Sequence, residues 1–287
     1  MTSRVPAPAV TAPRHPMPAG ACDAHSHVFG GSEFAAGASP YPLPDASFET
    51  HAAMRATLGL RRAVLVQPVP YGRDPACMLD ALARSAGTLR GVMIADATIA
   101  DATLEAWHAA GVRALRFAEM RAPGGGGRYP GSIGSDELQA LAPRLRALGW
   151  QAHLWASAAQ CAALLPGLAR LGVPVVLDHM AMPDGPADPA FDAVLGHLRD
   201  GHVWVKATLC RVPHGGAGHA VLRPLHDALV RANPDRVLWG SDWPYVRMAP
   251  PPDAGAMLDL FLDWLSDPEL ARRILVDNPA ALFGFDD

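Results

Sequence analysis

Long apolar runs are missing from this chain of 287 residues. A bilayer-spanning helix needs roughly 18 consecutive apolar residues, and no stretch approaches that, so the sequence predicts no membrane span. Met1 to Gly20 is rich in Pro and Ala but lacks a continuous apolar core, which makes it a poor secretion signal. It reads as an extended arm or a disordered lead-in. Cysteine is sparse: Cys22, Cys77, Cys161 and Cys210 are scattered without Cys-x-x-Cys spacing. That excludes a zinc finger or a disulfide framework and points to reduced thiols in a cytoplasmic protein. An excess of positive charge is also missing. With a formal net charge of −4 and a pI near 6.3, nothing favours nucleic acid or an anionic membrane as partner. Lysine is greatly outnumbered by arginine, and with the abundant Ala and Pro this reads as coding bias.

What is present is hydrophobic material, 50% of the residues, ample for a sizeable core. It is arranged as strand-like runs at 22–28, 63–67, 91–95, 114–117, 152–155, 175–178, 203–207 and 236–240. Helical periods lie between them, at 74–86, 102–110, 136–148, 158–171, 190–199 and 222–231, with two closing helices at 253–265 and 267–281. Strand–helix alternation repeated about eight times implies parallel strands joined by crossovers, and the closed solution is a (β/α)8 barrel. A doubly wound open sheet is the alternative, but no Gly-x-Gly-x-x-Gly follows the first strand. The expected organisation is an arm over 1–20 and one barrel domain over 21–287. Gly111, Gly149, Gly172 and Gly201 each precede a strand, where helix-terminating glycines belong.

The apolar strands end in polar residues: His27, Gln67, Asp96, His179, Lys206 and Asp242. In a barrel of this type the active site is built at the carboxyl ends of the strands. His25 and His27, two apart on the first strand, share a face. His179 ends the sixth strand and Asp242 the eighth, where an isolated buried carboxylate must be paired, metal-bound or kept for proton transfer. The glycine-rich loop 122–134 suits either a mobile lid or a plain connection, and loop 211–219 a second rim segment.

Asp23-x-His25-x-His27, Asp178-His179, Trp204-Val205-Lys206-Ala207 and Trp239-Gly240-Ser241-Asp242-Trp243-Pro244 together resemble the amidohydrolase superfamily. The resemblance spans about residues 18–284 and is closest to the lactone-hydrolysing branch that includes pyrone-dicarboxylate lactonases, sugar-lactone hydrolases and a galactarolactone isomerase. It implies hydrolysis of a small carboxylated or polyhydroxylated cyclic ester, with Asp242 as general base and His25, His27 and His179 polarising the carbonyl. The isomerase replaces the equivalents of His25 and Asp242 with amides; both are intact here, which favours hydrolysis.

The resemblance leaves the metal open. His25, His27, His179 and Asp242 suit one Zn2+ or Mn2+, with His153 as a further ligand. Trp155 near the fifth-strand ligand position matches relatives that work without metal, so no obligatory cofactor is expected. A metal held through His153 would instead favour a decarboxylase of an aromatic or unsaturated acid. Arg116, Arg121 and Arg211 are candidate carboxylate grips, with Trp155 and Tyr245 as pocket walls. Met182, where the dicarboxylate enzymes carry arginine, and Glu119, expected near the mouth, argue against the same dicarboxylate substrate. A small lactone or carboxylate is thus the expected partner, and a homo-oligomer is left open.

Overall fold

The computed structural model describes residues 4–34, 39, 41–122, 126–129, 131–213, 215–216, 218–265 and 267–285. Eight strands run parallel in one sheet in chain order. They are β1 (Cys22–Ser26), β2 (Arg62–Val66), β3 (Leu89–Met93), β4 (Val112–Ala118), β5 (Gln151–Trp155), β6 (Val175–Leu177), β7 (Val203–Ala207) and β8 (Val237–Trp239). Helices α1 (Phe48–Leu58), α2 (Ala76–Arg84), α3 (Asp101–Ala109), α4 (Leu138–Leu148), α5 (Ala158–Leu168), α6 (Pro189–Arg199) and α7 (Arg223–Ala232) lie between the strands. With α8 (Ala254–Asp263) they make a TIM-type barrel. Gly149 closes α4 in the left-handed conformation (φ 66°), as its place before a strand predicts.

The sheet has two apolar faces. Outward residues such as Ala63, Leu65, Leu115, Leu154 and Val205 pack under the helices. Inward residues Cys22, Ala24, Val64, Val66, Val92, Ala114, Val176, Trp204 and Leu238 fill the lower barrel with Phe283 and Phe285. Burying each such Val or Leu contributes about 1.5–3 kcal/mol. The C-terminal segment is tied beneath the strands: Arg90 donates to Phe283 O at 3.2 Å, and Gln151 to Leu282 O at 2.7 Å.

Between β1 and β2 the register shifts: Asp23 faces Ala63, while Ser26 faces Leu65. One extra residue on β1 is a β-bulge, and it changes which face the following side chains take. His25 and His27 therefore fall on the interior face shared with Val64 and Val66.

β1 and β8 share no ladder. Their seam is closed by Asp242 N donating to His25 O at 2.7 Å and His27 N donating to Trp243 O at 2.9 Å. Gly240 sits at this closure; a Cβ there would lie 2.7 Å from His25 Cβ.

Two elements depart from the sequence expectation. α1 buries His51, Met54, Arg55 and Leu58, and with two polar residues on its inner face its apolar period is hidden. The last expected helix is broken into Pro268–Arg272, a π turn over Arg273–Asp277, and Asn278–Phe283. Along the N-terminal segment, Val5–Pro6 pairs in parallel with Pro44–Asp45. Thr11 N and Oγ1 donate to Asp253, at 2.9 and 2.7 Å. No helix among the described residues is long and apolar enough to cross a membrane.

Candidate active site

Asp242 follows β8 with a left-handed backbone (φ 62°), and His179 to Met182 form a turn of four left-handed residues after β6 (φ 53°, 57°, 59° and 43°). Such backbone costs about 1–3 kcal/mol per residue and clusters at functional sites. Both segments point into one cavity of about 290 Å³ at the carboxyl ends of the strands.

Asp242 is the hub. Its Oδ2 accepts from Arg211 Nε. Its Oδ1 lies 3.2 Å from His27 Nε2 and 3.4 Å from His25 Nε2. Burial alone would raise this carboxyl, but Arg211, His27, His179 and His25 outweigh it and hold Asp242 well below the usual carboxylate range. It is an anion at neutral pH. His27 Nδ1 is 2.7 Å from Val66 O, an oxygen that only accepts, so that nitrogen carries the proton. Nε2, the other ring nitrogen, faces Asp242 Oδ1 at 3.2 Å. They are placed to hold a proton between them.

A second buried layer lies beneath. Asp178, at the end of β6, takes Arg116 Nε on Oδ2 at 2.9 Å and Lys206 Nζ on Oδ1 at 3.1 Å. Against burial, Lys206, His25 and Arg116 hold Asp178 well below its ordinary value. Burial pulls His25 well down, with Lys206 adding to it, and burial takes His179 to about 3. Both imidazoles are therefore neutral at pH 7. Asp23 accepts from Ser241 Oγ at 2.5 Å and from the backbone N of Ser241 and His25, both at 3.0 Å. It thus ties β1 to the turn that carries Asp242. Burial pushes Asp23 up to about 6.

The cavity wall joins aromatic and cationic groups. Tyr129 stacks on Trp155 (ring centroids 5.1 Å apart), Arg247 lies 4.9 Å over the Tyr129 ring, and Arg116 lies 5.0 Å over Trp155. Arg247 also donates to the Tyr129 hydroxyl. Arg116, Arg211 and Arg247 face Asp242 as the one carboxylate among the described lining residues. The lining is cationic in sum.

The candidates from the sequence are placed as follows. His27, His179, Asp242, Arg116, Arg211 and Trp155 line the cavity. His25 lies one layer below, fully buried against Asp242 and Asp178. Arg121 is exposed and pairs with Arg128 through the backbone, away from the cavity. Tyr245 is buried behind the lining, its N bonded to Asp242 O at 3.0 Å. His153 is fully buried, neither nitrogen has a hydrogen-bond partner, and its ring lies 5.9 Å from Phe283. Glu119 is turned away from the cavity, bonded to Ser135 N and Oγ at 2.7 and 2.8 Å and to Arg128. It does not line the cavity. Of the glycine-rich loop, residues 123–125 and 130 lie outside the described residues, as do 214 and 217 of the second rim loop. Tyr129 of the first loop reaches the cavity. Tyr129, Tyr41, Phe29 and Arg247 also line the cavity, and none was among the candidates the sequence singled out. The aromatic-and-arginine sequence that follows Asp242 was the signal for Arg247.

Two sets of atoms have spacing suited to a metal ion: His25, His27 and Asp242, and His25, Asp178 and His179. Their hydrogen bonds do not fit one. The Lys206 ammonium already sits against both Asp178 Oδ1 and His25 Nδ1, at 3.1 and 3.2 Å. A lysine donating to Nδ1 leaves the ring proton on Nε2, where a metal would need a lone pair.

The barrel, with histidines after its first and sixth strands and an aspartate after its eighth, defines a hydrolase-type site. The amidohydrolase family model matches residues 22–285, and the chain belongs to that family. It is 35% identical to a 2-pyrone-4,6-dicarboxylate hydrolase of Comamonas testosteroni, covering 94% of this chain and 92% of that one. It is 32% identical to a 4-sulfomuconolactone hydrolase of Rhizobium radiobacter, covering 93% and 91%. A crystal structure of a putative 2-pyrone-4,6-dicarboxylic acid hydrolase from Pseudomonas putida superposes with a TM-score of 0.81 at 29% identity, covering 93% and 98%.

Proposed function

We propose that this protein hydrolyses a small lactone bearing at least one anionic group. The observation that carries the reading is an ionised Asp242 facing a cavity walled by Arg116, Arg211 and Arg247. The relatives named as lactone hydrolases support the reaction class. The aromatic pair Tyr129–Trp155 suits the face of an unsaturated ring. Arg116 spends Nε on Asp178, and its two terminal nitrogens remain for a bidentate grip on an anionic group.

Arg211 on Oδ2 leaves Oδ1 of Asp242 to act. Water attacks the ester carbonyl carbon as Oδ1 takes its proton, which is then held between Oδ1 and His27 Nε2. Neutral His179 and the terminal N–H groups of the arginines meet the developing oxyanion. When the intermediate collapses, the ring C–O bond breaks and the held proton passes to the leaving oxygen. The product is the open hydroxy acid or its keto tautomer, and Asp242 is again an anion.

The purified protein, before and after treatment with a chelator, should be assayed against paired anionic and neutral lactones. The expected result is opening of the anionic member at least tenfold faster, with activity retained after chelation. Failure to open any anionic lactone would overturn the function. Loss on chelation with recovery on adding Zn2+ or Mn2+ would overturn the metal-free chemistry.

A further inference from the structure

Lys and Arg together number 24, and only one of them, Lys206, is lysine. A chain that uses arginine everywhere else keeps lysine at a fully buried position inside the barrel. A guanidinium is a broad planar fork, whereas an ammonium is a compact donor that can serve two acceptors in different directions. Lys206 does so: Nζ is 3.1 Å from Asp178 Oδ1 and 3.2 Å from His25 Nδ1.

This contact settles a question about His25. Paired with the Asp178 carboxylate, Lys206 is an ammonium with donors only, so Nδ1 supplies the lone pair. Asp178 Oδ1, 3.3 Å from the same nitrogen, is the competing acceptor, and the ammonium stands nearer to it at 3.1 Å. The ring proton is then on Nε2, which has no hydrogen-bond partner other than the direction of Asp242 Oδ1, 3.4 Å away. We propose that Lys206 is a positioning residue that fixes His25 in the Nε2–H tautomer, turning His25 into a donor that aims the Asp242 carboxylate rather than a metal ligand. Without Lys206, Nδ1 would take the proton to face Asp178, and the bare Nε2 would repel the oxygen it now steadies.

The tautomer is read by NMR on the whole protein with 15N-histidine, His25 being assigned by comparison with His25→Gln. The wild type should show a protonated Nε2 and an unprotonated Nδ1 at His25; the reverse pattern overturns the proposal. A single lysine also gives a single 15Nζ signal, and its coupling across the hydrogen bond to His25 Nδ1 should be present; absence overturns it. Lys206→Met should move the proton to Nδ1, and an unchanged tautomer in this variant overturns the role. Should Lys206→Met fail to fold, the two wild-type readings decide. The kinetic arm rests on the function proposed above: Lys206→Met should lower kcat about 100-fold, as a misaligned catalytic group does, with KM within about twofold. A wild type that opens no lactone fails that function and leaves the NMR arms standing.

Discussion

Three features coincide at Asp242: a left-handed backbone, a depressed carboxyl and contacts to two imidazoles. Asp242→Asn keeps the shape but has no anion to take a proton. Its kcat should fall at least 1000-fold, on the order of 4 kcal/mol of barrier, while calorimetry shows an anionic lactone still bound. Arg247 is tied to Tyr129 and faces the cavity without an acidic partner among the described residues. Arg247→Leu should raise KM for an anionic lactone about tenfold and leave a neutral one unchanged, measured by initial rates. At this scale much of the site was legible, because His27, His179, Asp242 and Arg116 are chemically conspicuous at the ends of apolar strands. Residues whose role depends on side-chain direction were not. Glu119 was placed near the mouth by its position, yet it is bonded to Ser135 on the far side. Arg121, two residues further on, points to solvent.

The strands follow apolar runs closely, and Val203–Ala207 coincides with the sequence reading. The bulge in β1 was hidden, since an extra residue leaves no composition signal. It is nevertheless what turns His25 and His27 inward. Periodicity correctly puts the two on one face but cannot say which. The missed α1 shows the same limit: His51 and Arg55 on its buried side break the apolar pattern. At β8, Gly240 allows an approach that no other side chain fits. A Cβ would meet His25 Cβ at 2.7 Å, its N at 3.1 Å and Thr208 Oγ1 at 3.2 Å. Gly240→Ala should lower stability by about 1–3 kcal/mol through overpacking and cut kcat by shifting His25 from Asp242. Urea unfolding and initial rates on the same sample check both.

For the whole molecule, the buried ionisable groups set the response to pH. His51 and His179 are each lowered to about 3 by burial, and His25 is lowered well below its usual value. Below pH 6.5 the unfolded chain binds protons at these rings and the folded one does not, so stability falls as pH drops through that window. Asp23, raised to about 6, acts in the opposite sense between its usual value and 6. It is one group against at least four, because burial also lowers His153 well below its usual value. The urea midpoint should therefore fall from pH 7 to pH 5, with a slope on the order of 2 kcal/mol per pH unit; an unchanged midpoint would contradict the buried neutral imidazoles. The closed barrel was readable from alternation, while the particular bonds of its seam were not, because they are made by backbone groups that any sequence possesses.

That seam has a consequence for how the molecule comes into being. The bonds joining His25 to Asp242 and His27 to Trp243 are both the barrel's last fastening and the mount of its reactive groups. Partners so far apart in sequence meet late, since closing a long loop is an entropic cost that earlier contacts do not repay. A chain halted before Asp242 holds its imidazoles without the carboxylate that works with them. Chemical competence therefore arrives in one step, at the moment the two ends of the sheet meet, and catalytic turnover is a direct report of completed folding.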